Sequence, residues 1–233
     1  MALYTISDLH LPLGIDKPMD VFGAAWDNYV ERLENNWQNT INADDVVVMP
    51  GDFSWAMYIG DSKKDFEFIE RLNGKKILLK GNHDYWWETY NKMSKFLALN
   101  NYSTVSILHN NSYMYNKIAL CGNRGWIFSQ NMSGEDKQIY DRELGRLKLS
   151  IENALKENPE QIYVFTHYPP ITNTDMVTPV TEILRDYGVE KCFYGHLHAN
   201  SHKTAVQGII EGIEYKLVSS DYLGFMPYKI TEE

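Results

Sequence analysis

The chain has 233 residues, of which 44% are apolar, 23% charged and 13% aromatic. This is the composition of a globular chain with a sizeable core, which excludes intrinsic disorder. No stretch approaches the roughly 20 apolar residues of a membrane span. The N-terminus lacks the basic and apolar regions of a signal peptide, so no membrane partner is expected. A net charge of −9 disfavours nucleic acid and anionic lipid, because an acidic surface repels phosphate backbones. Cys121 and Cys192 each lie in an apolar run and read as buried free thiols of a reducing, cytoplasmic compartment.

Leu3 to Ser7 reads as a strand. Val21 to Trp37 reads as a helix, because Phe22, Trp26, Val30, Leu33 and Trp37 recur every three or four residues. Val46 to Met49 is a buried strand stopped by Pro50-Gly51. Ser62 to Leu72 is a helix with Phe66, Ile69 and Leu72 inward, closed by Asn73-Gly74. Lys76 to Lys80 is a strand ending in Gly81, and a helix follows from about Glu88 to Leu99. Val105–Leu108, Ser112–Tyr115 and Ile118–Cys121 are short strands, with Asn116-Lys117 turning between the last two. A polar helix covers about Glu135 to Glu157. Ile162–Phe165 is a strand, Thr178–Tyr187 a helix closed by Gly188, and Lys191–Tyr194 a strand. Thr204–Ile210 and Ile213–Ser219 form a hairpin about Glu211-Gly212. No linker or repeat divides residues 1–233, so they read as one domain of mixed α/β layers, not a purely parallel sheet.

Ligand-type residues gather where these strands end. They are Asp8-Leu9-His10, Gly51-Asp52, Gly81-Asn82-His83-Asp84, His167 and Gly195-His196-Leu197-His198; His109 and His202 lie outside them. Ligands of α/β sheets bind at the carboxyl ends of strands. In extended chain, residues i and i+2 face the same side, so Asp8 with His10 and His196 with His198 can each present two ligands together. The glycines before Asp52, Asn82 and His196 allow close backbone approach to an ion. Carboxylate, amide and imidazole donors together suit Mn, Fe or Zn better than an all-oxygen Mg or Ca site. Asp8, His10, Asp52, Asn82, His167, His196 and His198 exceed the ligand needs of one ion and fit two, provided a carboxylate is shared.

These five motifs, in this order, resemble the signature of the calcineurin-like metallophosphoesterases from Asp8 to His198. The resemblance implies a double β-sandwich flanked by helices and a binuclear metal site. It implies that Asp8, His10 and His198 hold one ion, that Asn82, His167 and His196 hold the other, and that Asp52 bridges them. It also implies that His83 is catalytic and that Asp84 orients it through a hydrogen bond.

Two divalent ions, two carboxylates and a shared hydroxide leave a positively charged pocket, and such a hydroxide can attack a phosphoester in line. His83 suits a general acid whose imidazolium Asp84 stabilises. Arg124, in Gly122-Asn123-Arg124-Gly125-Trp126, suits a bidentate phosphate clamp. Trp55, Trp86 and Trp87 flank the motifs and suit either base stacking or packing. The expected activity is metal-dependent hydrolysis of a small-molecule or nucleotide phosphoester, by a phosphodiesterase or phosphatase. Ser/Thr phosphoprotein hydrolysis fits less well, because Gly51-Asp52-Phe53-Ser54-Trp55 lacks the arginine of the Gly-Asp-x-Val-Asp-Arg-Gly stretch found in those relatives. The lipid A pathway hydrolases also resemble this pattern but carry arginine where His83 stands, whereas bacterial cyclic-nucleotide phosphodiesterases match His83 and Asp84. A metal-binding interaction module on the same fold is the remaining alternative, and the presence of His83 argues against it. The sequence locates no dimer face.

Overall fold

The structure is a computed structural model describing residues 1–231, the Phe22 side chain excepted. In chain order the elements are β1 (Leu3–Thr5), α1 (Tyr29–Thr40), β2 (Val46–Pro50), α2 (Lys63–Arg71), β3 (Lys75–Leu79), α3 (Tyr90–Leu99), β4 (Val105–Ile107), β5 (Tyr113–Tyr115), β6 (Ile118–Asn123), α4 (Gly134–Leu155), β7 (Gln161–Thr166), α5 (Pro179–Asp186), β8 (Lys191–Tyr194), β9 (Gly208–Ile210), β10 (Ile213–Leu217) and β11 (Tyr228–Lys229).

Two mixed sheets form, in the orders β11-β1-β2-β3-β4 and β5-β6-β7-β8-β10-β9. Their inner strands are parallel, and β11, β5 and β9 are antiparallel additions at the edges. The two-residue period of a strand decides what each face covers. On β2, Val46 and Val48 turn toward the second sheet while Val47 and Met49 turn toward the helices. On β7, Tyr163 and Phe165 turn toward the first sheet, and Ile162 and Val164 turn away. The result is an apolar layer between two sheets with helices outside both: a double β-sandwich flanked by helices, as the motifs led one to expect. The strands carry near-continuous apolar runs because both of their faces are covered.

The elements otherwise match their sequence signals to within a few residues, with three differences. The helix expected from Val21 begins only at Tyr29, after short 3-10 turns at Asp20–Phe22 and Ala24–Trp26. Gly23 at φ 115° and Asn28 at φ 49° interrupt the right-handed backbone, so the apolar period runs across two breaks. Phe22, placed inward by that period, has its side chain outside the described residues. Ala199–Thr204 is a 3-10 helix, so the first arm of the expected hairpin shortens to Gly208–Ile210. The two-residue β11 carries no sequence signal of its own and forms by pairing with β1.

Candidate metal centre

All five motifs lie just beyond the carboxyl ends of parallel strands: Asp8 and His10 after β1, Asp52 after β2, Asn82 to Asp84 after β3, His167 after β7, and His196 and His198 after β8. The chain turns sharply there. Asp8, His10, Asp52 and His196 have φ of 59°, 47°, 51° and 72°, a left-handed conformation that costs an L-residue about 1–2 kcal/mol. Backbone strain of this kind clusters at functional sites. Two glycines make the turns feasible. Gly51 sits at φ 88°, where an added Cβ would come within 2.7 Å of the Gly81 Cα, and a Cβ on Gly81 would strike the Asp52 carboxylate.

The seven candidate ligands converge. His198 Nε2 lies 3.3 Å from Asp8 Oδ1 and 3.3 Å from His10 Nε2. Asn82 Oδ1 lies 2.6 Å from His167 Nε2 and 2.9 Å from His196 Nδ1. Asp52 Oδ2 stands between the two groups, 3.7 Å from His10 Nε2 and 3.4 Å from His167 Nε2. Donor atoms of Asp8, His10 and His198, and of Asp8, Asp52 and His167, each fall within 4.8 Å of one another, so Asp8 as well as Asp52 reaches both groups. His196 and His198 do not present a ligand pair to one point, as the i, i+2 argument expected. The positive φ at His196 sends the two rings into different groups.

The donor set fits divalent cations. Asp8 and Asp52 are buried, and among the described residues all their ion pairs are to histidines, none to Lys or Arg. Burial and the neighbouring Asp8 and Asp84 charges push the Asp52 carboxyl well above its usual range, the mark of a carboxylate short of positive charge. Burial chiefly pushes His167 down to about 3 and also lowers His10 and His196, leaving neutral imidazoles, the form that binds metal. His198 differs. Burial works against its cation, but hydrogen bonds to Asp221 and Asp8 outweigh that and raise it to about 10.

Outer partners aim the ligands. His167 Nδ1 donates to the Pro50 carbonyl at 3.1 Å, and His198 Nδ1 lies 2.9 Å from Asp221 Oδ1, so each ring turns Nε2 inward. His202 Nε2 approaches the other Asp221 oxygen at 3.2 Å. Ser7 Oγ donates to Asp8 Oδ2, and Ser220 Oγ donates to the Asp8 carbonyl at 2.6 Å. Asp221 and Ser220 were missed in the sequence. The available signal was an acid a few residues beyond the carboxyl end of β10, the side of the strands on which the candidate ligands also lie.

Asp84 does not hydrogen-bond to His83, contrary to the role the resemblance implied. Its Oδ1 accepts from Phe53 N (2.9 Å), Ser54 N (3.2 Å) and Trp86 Nε1 (3.1 Å), and its Oδ2 accepts from Asp52 N (3.0 Å) and Gly81 N (2.7 Å). These donors converge because the chain folds back over the carboxylate, and they leave it no room for an imidazole. His83 Nδ1 has no hydrogen-bond partner among the described residues. The His83 backbone N–H instead donates to Asp52 Oδ1 at 2.7 Å. Its ring borders a cavity of about 480 Å³ with His10, Lys17, Trp26, Trp55 and Tyr85. Trp55 stacks on His10 at 4.7 Å and Lys17 Nζ lies 3.0 Å from the Trp55 ring centre.

Of the other aromatics, Trp86 is core, while Trp87 borders a second cavity together with Arg124. The Arg124 guanidinium lies 3.5 Å from Glu143 and 4.8 Å from the Trp126 ring centre. None of the seven candidate ligands borders that second cavity. Cys121 and Cys192 are buried and free. No helix among the described residues is long and apolar enough to cross a membrane.

Comparison with known proteins identifies the fold and the family. A curated relative, "Uncharacterized protein MJ1445" of Methanocaldococcus jannaschii, is 31% identical over 75 residues, which is 30% of this chain; the match spans 42% of that relative's length. Among solved structures, phosphopantetheinyl hydrolase (PptH) of Mycobacterium tuberculosis superposes with a TM-score of 0.57 at 11% identity, covering 100% of this chain and 96% of that one. The protein of unknown function AQ665 of Aquifex aeolicus superposes with a TM-score of 0.53 at 14% identity, covering 98% and 95%. At such identities the superpositions speak to the fold. The family described as calcineurin-like phosphoesterase matches residues 1–200, the stretch that holds all seven candidate ligands, and the chain belongs to that family.

Proposed function

We propose that this protein hydrolyses a small-molecule or nucleotide phosphoester at a pair of divalent ions. Asp8, His10 and His198 would hold one ion, Asn82, His167 and His196 the other, and Asp52 both. The observation that carries this reading is a pair of buried carboxylates with no Lys or Arg partner among the described residues, ringed by four histidines, of which His10, His167 and His196 are held neutral, and an amide oxygen. When bound, such ions acidify a shared water and offset charge on a phosphoryl group. The mixed donors favour Mn, Fe or Zn.

The chain's own groups support the remaining steps. The Asp84 hub holds the Asp52 and Gly81 turns in register through their N–H groups. His83, whose ring borders the cavity beside the candidate ligands, would protonate a leaving oxygen. Burial and the Lys17 charge lower its pKa, so the acid form depends on a substrate phosphate nearby. The aromatic cavity that His83 borders suits an apolar or aromatic leaving group. The buried free thiols favour a reducing, cytoplasmic setting.

Elemental analysis of the purified protein, joined to hydrolysis of 4-nitrophenyl phosphate and bis-4-nitrophenyl phosphate with added Mn²⁺, Fe²⁺ or Zn²⁺, tests the reading. Two ions per chain and turnover of at least one ester are expected. Stoichiometric metal with both esters inert would favour the interaction module instead.

A further inference from the structure

A second cavity, of about 580 Å³, opens beside the metal centre without sharing its candidate ligands. It borders the same sheet edge. Lys80 stands two residues before Asn82, and the Arg124 carbonyl accepts hydrogen bonds from the backbone N–H groups of His167 (3.1 Å) and Tyr168 (3.0 Å). Its far wall is one face of α4, where Ile139, Arg142, Glu143 and Arg146 follow the helical period.

The cavity is cationic inside an acidic protein. Lys80, Arg124, Arg142 and Arg146 line it against two carboxylates, Glu88 and Glu143. Glu88 pairs with Lys92, which is not part of the lining, at 3.0 Å. Glu143, nearly buried, lies 3.5 Å from Arg124 and 3.6 Å from Arg146, so one carboxylate stands between two guanidinium groups. Among the described residues, the Lys80 ammonium has no hydrogen-bond or ion-pair partner. Two of the lining residues also hold a buried donor with no partner among the described residues, Arg124 Nε and Trp87 Nε1. Burial first, then the Arg146 and Lys80 charges, lowers His109. Like charges held together with donors unmet raise the free energy of the empty cavity, and an anion relieves both effects.

We propose that this cavity is a binding site for a phosphate-class anion, separate from the metal centre. Its nearness to that centre favours the second phosphate of the substrate as occupant, a refinement that rests on the phosphoesterase reading. The anion site itself does not.

Crystals of the metal-loaded protein soaked in tungstate, a phosphate mimic located by anomalous scattering, test the site. Tungstate is expected in the cavity within hydrogen-bond reach of Arg124 or Arg146, whatever binds at the metals. Arg146→Met is expected to empty the cavity while leaving metal-centre tungstate in place. Glu143→Gln, which removes the intervening carboxylate, is expected to raise cavity occupancy, a gain that damage to the fold cannot mimic. An empty cavity in the wild type, or equal occupancy in wild type and Arg146→Met (an adventitious ion only), would overturn the proposal. Kinetics identify the source. If the occupant is the substrate's second phosphate, Arg146→Met lowers kcat/KM for a nucleoside 3′,5′-bisphosphate at least about tenfold and leaves 4-nitrophenyl phosphate unchanged. If both esters are unaffected while tungstate still binds, the occupant is a free anion. Equal losses on both esters would place Arg146 in the metal site and count against a separate one. Hydrolysis of neither ester, with tungstate still in the cavity, would end the phosphoesterase reading and leave the anion site standing.

Discussion

The Asp84 carboxylate is fully buried one residue from His83 and makes no hydrogen bond to it; among the described residues its hydrogen bonds come from four backbone amides and the Trp86 indole. Sequence neighbours have parted into two roles, one holding the turns of the site and one facing its cavity. Burial pushes Asp84 up to about 6 against the pull of those donors, so it carries its charge at neutral pH.

Asp84→Asn should therefore act first on stability. The amide would set an NH₂ group against backbone N–H donors and withdraw the charge they share. Hydrogen bonds to a charged group contribute about 1.5–3 kcal/mol each, so a loss of about 3 kcal/mol or more is expected in urea unfolding, with metal content falling as the Asp52 turn loosens. A variant as stable as the wild type would show that the hub does not hold these turns.

His83→Ala should behave oppositely. The ring is half-buried and not a candidate ligand, so stability should change by about 1 kcal/mol or less and both metal ions should remain. Loss of a general acid should lower kcat by at least about 100-fold. Elemental analysis and steady-state kinetics on one preparation check both halves, and unchanged turnover would remove His83 from the chemistry.

Asp221→Ala frees His198 Nδ1 and lets the ring rotate. Losing such an outer partner typically costs 10–100-fold in metal affinity. A metal titration should show weakened binding of one ion with the other near its wild-type affinity. Equal weakening of both would mean that Asp221 supports the whole sheet edge rather than one ligand.

Asp65 gives a pH dependence unconnected with metal. It lies in the first turn of α2, buried, accepting from Leu13 N at 2.8 Å and bonded to Ser54 Oγ. Burial raises it from 3.8 to about 7, against hydrogen bonds from Ser54, Leu13 and Gly14. A folded value above the unfolded one means that the native state holds the proton more tightly. Its stabilising contribution is full below about pH 4 and is lost as pH rises toward about 7. Relative to Asp65→Asn, the wild type should lose stability across that window, by at most about 1.4 kcal/mol per pH unit. Parallel stability–pH curves from urea unfolding would refute this.

The chain by itself determined the parts governed by local rules. Apolar runs such as Val46-Val47-Val48 marked strands covered on both faces. Ligand-type residues at their ends marked the candidate metal centre, because a strand must stop before its side chains can surround an ion. The ordered motifs carried the family and the double sandwich with them. Tertiary structure alone decided relations between segments far apart in sequence. Asp221 meets His198 from 23 residues away, and β11 exists only because β1 offers it an edge. Glu143 reaches Arg124 across the packing of α4 on β6, which turned the expected phosphate clamp toward a second cavity. The role of Asp84 belongs here too. Which donors surround a carboxylate depends on where turns after different strands are brought together, and spacing along one segment carries no record of that.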